Sequence, residues 1–405
     1  QMKILTLNTG SSSLKYRLSE PDRGSILADG LIERIGATDS SISHEAQGEH
    51  VTRSLPVADH RQAFDLMVRY LTSPESGVIR SLSEIAAVGH RVVHGGDRFF
   101  DSVEISDEVL RTIHEFEDLA PLHNPINLLG IAIARQRLPG IPHVAVFDTA
   151  FHQTMPRTAY LYAIPVELYD KYRIRRYGFH GTSHRYVSHR AARILRKPAA
   201  KVRMITCHLG NGCSITAVRD GKSIDTSMGF TPLEGLVMGT RSGDIDPSVV
   251  FFLVSKRGYY LDTVEEILNR RSGLLGISGI SNDMKTVIEA SCEGDERARL
   301  ALDIFAYRVK KYIGAYTAIL GGLDCLVFTA GIGERSPYMR RLICSDLEEF
   351  GIAIDPRLND KCIAREMVIS KRNSRVKVVV VPTDEEQVIA SETYRILSGR
   401  GGKGQ

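Results

Sequence analysis

The sequence predicts an α/β protein made of two related domains that face each other across a cleft. Three observations predict it. Short apolar runs of strand length alternate with longer stretches of helical periodicity. A strand, a Gly/Asn/Ser turn and a second strand open the chain at 3–18 and recur at 204–218, an internal repeat. The 405 residues suffice for two or three domains, each able to bury its own core.

The elements follow in order. The run Lys3–Leu7 reads as a buried strand. After the turn Asn8–Ser13, Leu14, Tyr16 and Leu18 alternate with Lys15 and Arg17, a period of two that predicts a second strand rather than a helix. Ile26, Leu27, Leu31 and Ile32 place a third strand within 24–33, and the polar, turn-rich segment 36–60 reads as a surface excursion. Val144–Phe147, Met204–His208, Leu326–Ala330 and Val376–Val381 are further buried strands. Ser183 is expected to cap a helix with Val187, Ala191 and Ile194 on one side. Asp295 to Leu320 is the longest helical pattern, stopped by Gly321. Thr383 with Glu386 reads as a capping box for a last helix ending near Leu397, and the tail 399–405 is expected to be disordered.

Composition removes whole classes of function. Lys and Arg number 52 against 48 Asp and Glu, so a net charge of +4 gives no basic field that argues for nucleic acid. The longest apolar stretches, Val249–Val254 and Val378–Val381, fall far short of the ~18 residues a bilayer helix needs. The opening residues carry neither the basic head nor the apolar segment of a signal peptide. Six cysteines form no C-x-x-C pair, so zinc and redox motifs are absent. A reduced, cytoplasmic, soluble protein is the expectation.

Chemistry concentrates at the strand ends. The segment Asn8–Ser13 with Lys15 lacks the spacing of a Walker A loop and continues as a strand rather than a helix. It reads either as a hairpin whose backbone N–H groups and Ser11 and Ser13 hydroxyls face a phosphate, or as an ordinary polar turn. His208-Leu209-Gly210-Asn211-Gly212 and Gly331-Ile332-Gly333-Glu334 are two more glycine turns directly after buried strands, where backbone can approach a ligand. Together the three suggest a polyphosphate or nucleotide. Arg91 and Arg241 lie in glycine-flanked segments suited to bidentate contact with carboxylate or phosphate. His180, in a Gly-flanked loop before a helix, suits either a donor to an anion or a cap of local backbone. The i,i+4 pairs His90/His94 and His180/His184 lack the glutamate of a zinc motif. Asp148 ends a buried run, where a charge must be paired or open to ligand. Glu385 opens the last helix, where its charge also complements the helix dipole.

These motifs, with Phe147–His152, Tyr177–His184, Asp225–Gly235, Met238–Asp244 and Pro382–Glu386, resemble the acetate kinase family, in family order from residue 3 to about 397. The resemblance implies two domains of the actin-like ATPase (ribonuclease H-like) type. The first is 1–150 completed by 386–405. The second is 151–385 and carries much of the nucleotide site. It implies a homodimer and reversible phosphoryl transfer from ATP to acetate, giving acetyl phosphate and ADP, with Mg²⁺ or Mn²⁺. By motif, Asn8 and Glu385 correspond to metal-site residues and Arg91 to the carboxylate ligand. Asp148, His180 and Arg241 correspond to the catalytic residues. Val93, Leu122, Phe179 and Pro232 correspond to the acyl pocket. Ser11, Ser13, Lys15, His208–Gly212, Asp283-Met284-Lys285 and Gly331-Ile332-Gly333-Glu334-Arg335 correspond to nucleotide-binding segments.

The match has departures. Lys285 and Arg335 stand where the family usually has Arg and Asn, which bears on nucleotide preference rather than on the transfer itself. A propionate kinase shares nearly every motif, since one methylene in an apolar pocket is worth only ~1–3 kcal/mol. Val93 favours acetate. A sugar kinase needs polar pocket residues that this set lacks. A non-enzymatic ATP-binding module has no use for the Arg91/Asp148/His180/Arg241 set.

Overall fold

The computed structural model describes residues 2–75, 77–121 and 123–399. It divides into two compact units, Gln1–Ala150 with Asp384–Gln405, and Phe151–Thr383.

Among the described residues the first unit holds an eight-stranded sheet in the order β5-β4-β3-β2-β1-β6-β8-β7. Its strands are β1 (Lys3–Gly10), β2 (Ser13–Glu20), β3 (Ser25–Glu33), β4 (Ser41–Ala46), β5 (Glu49–Ser54), β6 (Ile85–Val92), β7 (Val103–Glu104) and β8 (His143–Phe147). Strand alternation sends successive side chains to opposite faces. Leu5, Leu7 and Val88 pack under the His60–Thr72 and Asn124–Arg137 helices, while Ile4, Ala87, Val144 and Val146 meet Ile389 and Ala390 of the Glu385–Ser398 helix. The parallel strands β1, β6 and β8 are thus covered on both faces, which is why they read as continuous apolar runs.

The second unit carries a six-stranded sheet, β11-β10-β9-β12-β14-β13. Its strands are β9 (Met204–Leu209), β10 (Cys213–Arg219), β11 (Lys222–Thr226), β12 (Cys325–Thr329), β13 (Met367–Val368) and β14 (Lys377–Val380). Val187 and Ala191 of the Gly181–Ile194 helix pack on Met204, Val327 and Val379. The order β3-β2-β1-β6-β8 repeats as β11-β10-β9-β12-β14, with the first two junctions of each antiparallel and the last two parallel. The repeat legible at 3–18 and 204–218 is therefore a repeat of sheet topology. Among the described residues no helix is long and apolar enough to cross a membrane.

Four expectations need correction. The segment 36–60 is not a loop excursion; it supplies β4 and β5, with Ile42, His44 and Ala46 buried and β5 largely exposed. Ser183 is not a cap; it sits inside the Gly181–Ile194 helix, whose cap is His180. The last helix is capped by the Asp384 side chain, which accepts from the Gln387 N–H, and not by Thr383. Gly331–Glu334 is no turn, since Ala330–Arg335 is a short helix. The helix expected to Leu320 runs Glu296–Leu320 between an Asp295 cap and a left-handed Gly321. The tail from 400 lies outside the described residues.

Candidate active site

In the first unit the charged groups gather around Arg91 at the end of β6. Its Nε and Nη2 donate to Asp148 Oδ2 at 3.1 and 2.6 Å, and its Nη1 donates to Asn8 Oδ1 at 3.3 Å. Glu385 Oε2 lies 3.8 Å from its Nε. Three elements deliver these groups: β1 carries Asn8, the residue after β8 is Asp148, and the first turn of the Glu385–Ser398 helix carries Glu385. Burial works against the Arg91 charge, but Asp148 and Glu385 outweigh it and hold the guanidinium above its usual pKa. Burial pushes the Glu385 carboxyl above its ordinary range; Arg91 opposes this, and Asp148 and Glu386 reinforce it.

The β1–β2 turn is held from below. His60 Nε2 donates to the Gly10 carbonyl at 2.8 Å and Asn127 donates to the Thr9 carbonyl at 3.0 Å. Asn127 also accepts from the N–H of buried Val93, so one side chain ties the turn to the end of β6. Ser11 is exposed at the turn and Ser13 begins β2. Lys15 is not free to serve a ligand alone, because its Nζ pairs with Glu386 at 2.8 Å.

In the second unit His180 and Arg241 converge on Gly212. A Cβ at Gly212 would sit 3.5 Å from His180 Cε1 and 3.6 Å from Arg241 Nη1, so glycine keeps the space between them open. His180 caps the Gly181–Ile194 helix with φ of +56°, a left-handed conformation that costs a non-glycine residue about 1–2 kcal/mol. Its Nδ1 lies 2.9 Å from Ser214 Oγ, and its ring stacks on His208 at 4.0 Å between centroids. His152 Nε2 donates to the carbonyl of buried Phe179, which fixes the residue before His180. Arg241 Nη1 donates to the Pro232 carbonyl at 3.2 Å and reaches Met238 Sδ at 3.5 Å. Among the described residues no carboxylate lies within ion-pair distance of Arg241, and burial lowers its pKa.

The glycine segments assemble in the same unit. Asn211 Oδ1 accepts from Asn282 Nδ2 at 3.1 Å, and a Cβ on Gly239 would fall 2.0 Å from that Oδ1. This joins His208–Gly212 to Asp283, whose carboxylate caps the Met284–Cys292 helix. Glu334 Oε1 accepts from the Ala330 and Thr383 N–H groups, both at 2.8 Å, so it holds backbone.

The sequence profile of the acetokinase family matches residues 3–391. The chain belongs to the acetokinase family. It is 56% identical over 400 residues to acetate kinase of Thermoanaerobacter pseudethanolicus, covering 98% of this chain and all of that one. Its structure matches Porphyromonas gingivalis acetate kinase with a TM-score of 0.93 at 49% identity, covering 98% of this chain and all of that chain. It also matches a propionate kinase from Francisella tularensis, with a TM-score of 0.92 at 45% identity and the same coverage.

An acetokinase-family chain implies ATP or ADP and a divalent cation, and the Arg91 set fits one. Asp148, Glu385 and Glu386 outnumber Arg91 and Lys15, and Asn8 and Glu385 offer oxygen ligands of the kind a hard cation takes. Of the nucleotide-segment departures, Lys285 is mostly exposed with Glu289 3.8 Å away, and Arg335 ends the Ala330–Arg335 helix. Leu122 lies outside the described residues. Sequence reasoning missed Glu386 as the partner of Lys15, Asn127 as the brace of the turn, and Thr206 and Ser214 beside the histidines. The last two carried a readable signal, since polar residues alternate into strands β9 and β10 that are otherwise apolar.

Proposed function

We propose that this chain is an acetate kinase, reversibly transferring the γ-phosphoryl group of ATP to acetate to give acetyl phosphate and ADP. What carries the reading is a family match that runs through both units. Acetate is already ionised at neutral pH, so no base is needed to make the nucleophile. An acetate oxygen forms the new bond to the γ-phosphorus in line with the breaking bond to the β–γ bridging oxygen, and ADP leaves with that electron pair. No proton moves. Arg91 binds the acetate carboxylate, and Asp148, through its two bonds to Arg91, orients it rather than abstracting a proton. His180 and Arg241 donate to the oxygens of the transferring group, whose loose transition state is stabilised mainly by alignment and charge. Asn8 and Glu385 would hold the cation, Mg²⁺ with Mn²⁺ able to replace it. When bound it neutralises charge on the phosphates.

Ser11, Ser13, Lys15, His208–Gly212, Asp283–Lys285 and Gly331–Arg335 serve the nucleotide in this reading. The family motifs assign Val93, Leu122, Phe179 and Pro232 to the acetate methyl. ATP as donor and thiols left unpaired suit a cytoplasmic enzyme. The partner is a second copy of the chain. The Ser248–Arg257 helix is apolar over most of its length yet buries no residue, and Phe251 and Tyr260 are 67% and 83% exposed.

Propionate is the second reading, because a propionate kinase matches the structure about as well as an acetate kinase does. The test is ATP-dependent acyl phosphate formation, trapped as hydroxamate, comparing acetate, propionate and butyrate by kcat/KM. Acetate preference is expected. Propionate preference keeps the mechanism and overturns the substrate. No product from folded protein that binds Mg-ATP overturns both.

A further inference from the structure

His180 is one end of a buried hydrogen-bonded chain whose other members take no part in the reaction just described. Thr206 Oγ1 on β9 lies 2.7 Å from His184 Nδ1. His184 Nε2 lies 2.7 Å from Ser214 Oγ on β10, and that oxygen lies 2.9 Å from His180 Nδ1. Thr206, His184 and Ser214 are all fully buried.

The proton positions follow from counting donors and acceptors. Among the described residues Thr206 Oγ1 has one hydrogen-bond partner, His184 Nδ1. A buried hydroxyl places its hydrogen on an acceptor, so Thr206 donates and His184 Nδ1 accepts. Burial, with His152 and His208 close by, keeps His184 neutral. Its single ring proton is therefore on Nε2 and is donated to Ser214 Oγ. The Ser214 hydrogen then points to its other neighbour, His180 Nδ1. A neutral His180 whose Nδ1 accepts carries its proton on Nε2.

We propose that Thr206, His184 and Ser214 are positioning residues that hold His180 as the neutral Nε2–H tautomer, making it a fixed donor. The inference rests on the reading of His180 as a donor to the transferring phosphoryl group. The opposite tautomer would present a lone pair at Nε2 to phosphoryl oxygens and repel them. An imidazolium would set an Nδ1–H against the Ser214 hydrogen. The donor is thus fixed before substrate arrives, at no cost in reorganisation. The stack on His208 holds the ring whose tautomer the chain sets.

The test is ¹⁵N NMR of the full-length protein with ¹⁵N-labelled histidine, the His180 signals being identified by their loss in His180→Gln. Wild type is expected to show a neutral His180 ring protonated on Nε2 at about pH 7.5. Thr206→Val replaces the first donor by a methyl of similar size, so His180 should become a mixture of tautomers. Its kcat should fall ~10–100-fold with both KM values within ~2-fold, while Thr206→Ser restores both readouts. Ser214→Ala should give the same spectral change and serves if Thr206→Val does not fold. A wild-type His180 that is Nδ1-protonated or cationic overturns the proposal, as does an unchanged His180 tautomer in a folded variant. Absence of acyl phosphate from wild type would instead remove the functional reading and leave the tautomer result standing.

Discussion

Arg241→Ala is expected to remove most turnover while leaving the fold and the affinity for ATP close to wild type. The structural cost is small because of what Arg241 touches: one carbonyl, one thioether and no carboxylate among the described residues. Losing a hydrogen bond and some stem packing amounts to ~1–2 kcal/mol, part of which is returned by no longer burying the charge. For a unit of this size ~1 kcal/mol moves Tm by ~2–4 °C, so a shift under ~5 °C is expected. The catalytic cost is larger, since one preorganised donor to developing charge contributes ~2–4 kcal/mol, or ~30–1,000-fold in kcat. Arg176 is the contrast. It pairs with Glu234 at 2.6 Å and donates to the carbonyls of Thr226, Ser227 and Met228, so Arg176→Ala takes the counter-charge from a part-buried carboxylate and a donor from three carbonyls, and should cost ~3–5 kcal/mol of stability. The assay is hydroxamate formation at saturating acetate and Mg-ATP, with thermal unfolding of both variants alongside. A kcat within ~3-fold of wild type, or a Tm loss as large as that of Arg176→Ala, would refute the reasoning.

Three other outcomes are expected. Arg91→Lys keeps the charge but loses the fork that meets Asp148 and Asn8 together, so the KM for acetate should rise at least ~10-fold with little change for ATP; an unchanged acetate KM contradicts the role. Glu385 has its folded pKa raised, so its contribution to stability is present below the unfolded value and lost as pH rises through the folded one; Glu385→Gln should therefore raise Tm in metal-free buffer at neutral pH, while its activity assayed with Mg²⁺ collapses relative to wild type, and a lower Tm contradicts it. Phe251→Asp places a charge on the exposed apolar helix and should convert a dimer to monomer by light scattering; a wild-type monomer, or a variant that stays dimeric, removes the proposed interface.

Apart from β6, the strands that carry the candidate site were legible because their signals are local. Period-two alternation at Leu14–Leu18 and glycine at the ends of apolar runs are properties of a few adjacent residues. The strands β4 and β5 were missed for a physical reason. They are the outermost on their side of the sheet, β5 buries almost nothing, and selection for a polar edge makes such a segment look like loop. The caps failed for another. Ser183 and Thr383 have the right chemistry, but which residue caps a helix depends on where the preceding backbone goes, and Asp384 and a left-handed His180 take those places. Residue types at the candidate site were proposed from motifs alone; their partners were not in reach of the sequence. Nothing near Lys15 in sequence announces Glu386, and Arg91 meets Asp148 only because β6 and β8 lie side by side in register.

The two sheets share an order of strands, yet their ends carry opposite kinds of chemistry, and the difference follows from what each kind can do. Beside β1, β6 and β8 the groups are ions that compensate one another, Arg91 against Asp148 and Glu385, Lys15 against Glu386. Such a set exchanges partners readily, because a carboxylate or a metal entering it replaces one ionic contact by another of similar energy. Beside β9 and β10 the groups are, on the proposed tautomers, neutral hydroxyls and imidazoles linked to one another, and Arg241 has no carboxylate within ion-pair distance among the described residues. A neutral network cannot exchange partners without leaving a buried donor or acceptor unmet, so it holds its geometry. Compensated ions suit groups that must arrive and leave, as acetate and a metal do. A rigid neutral donor beside one uncompensated arginine suits a group whose charge changes during the reaction, because stabilisation there depends on dipoles that do not have to move.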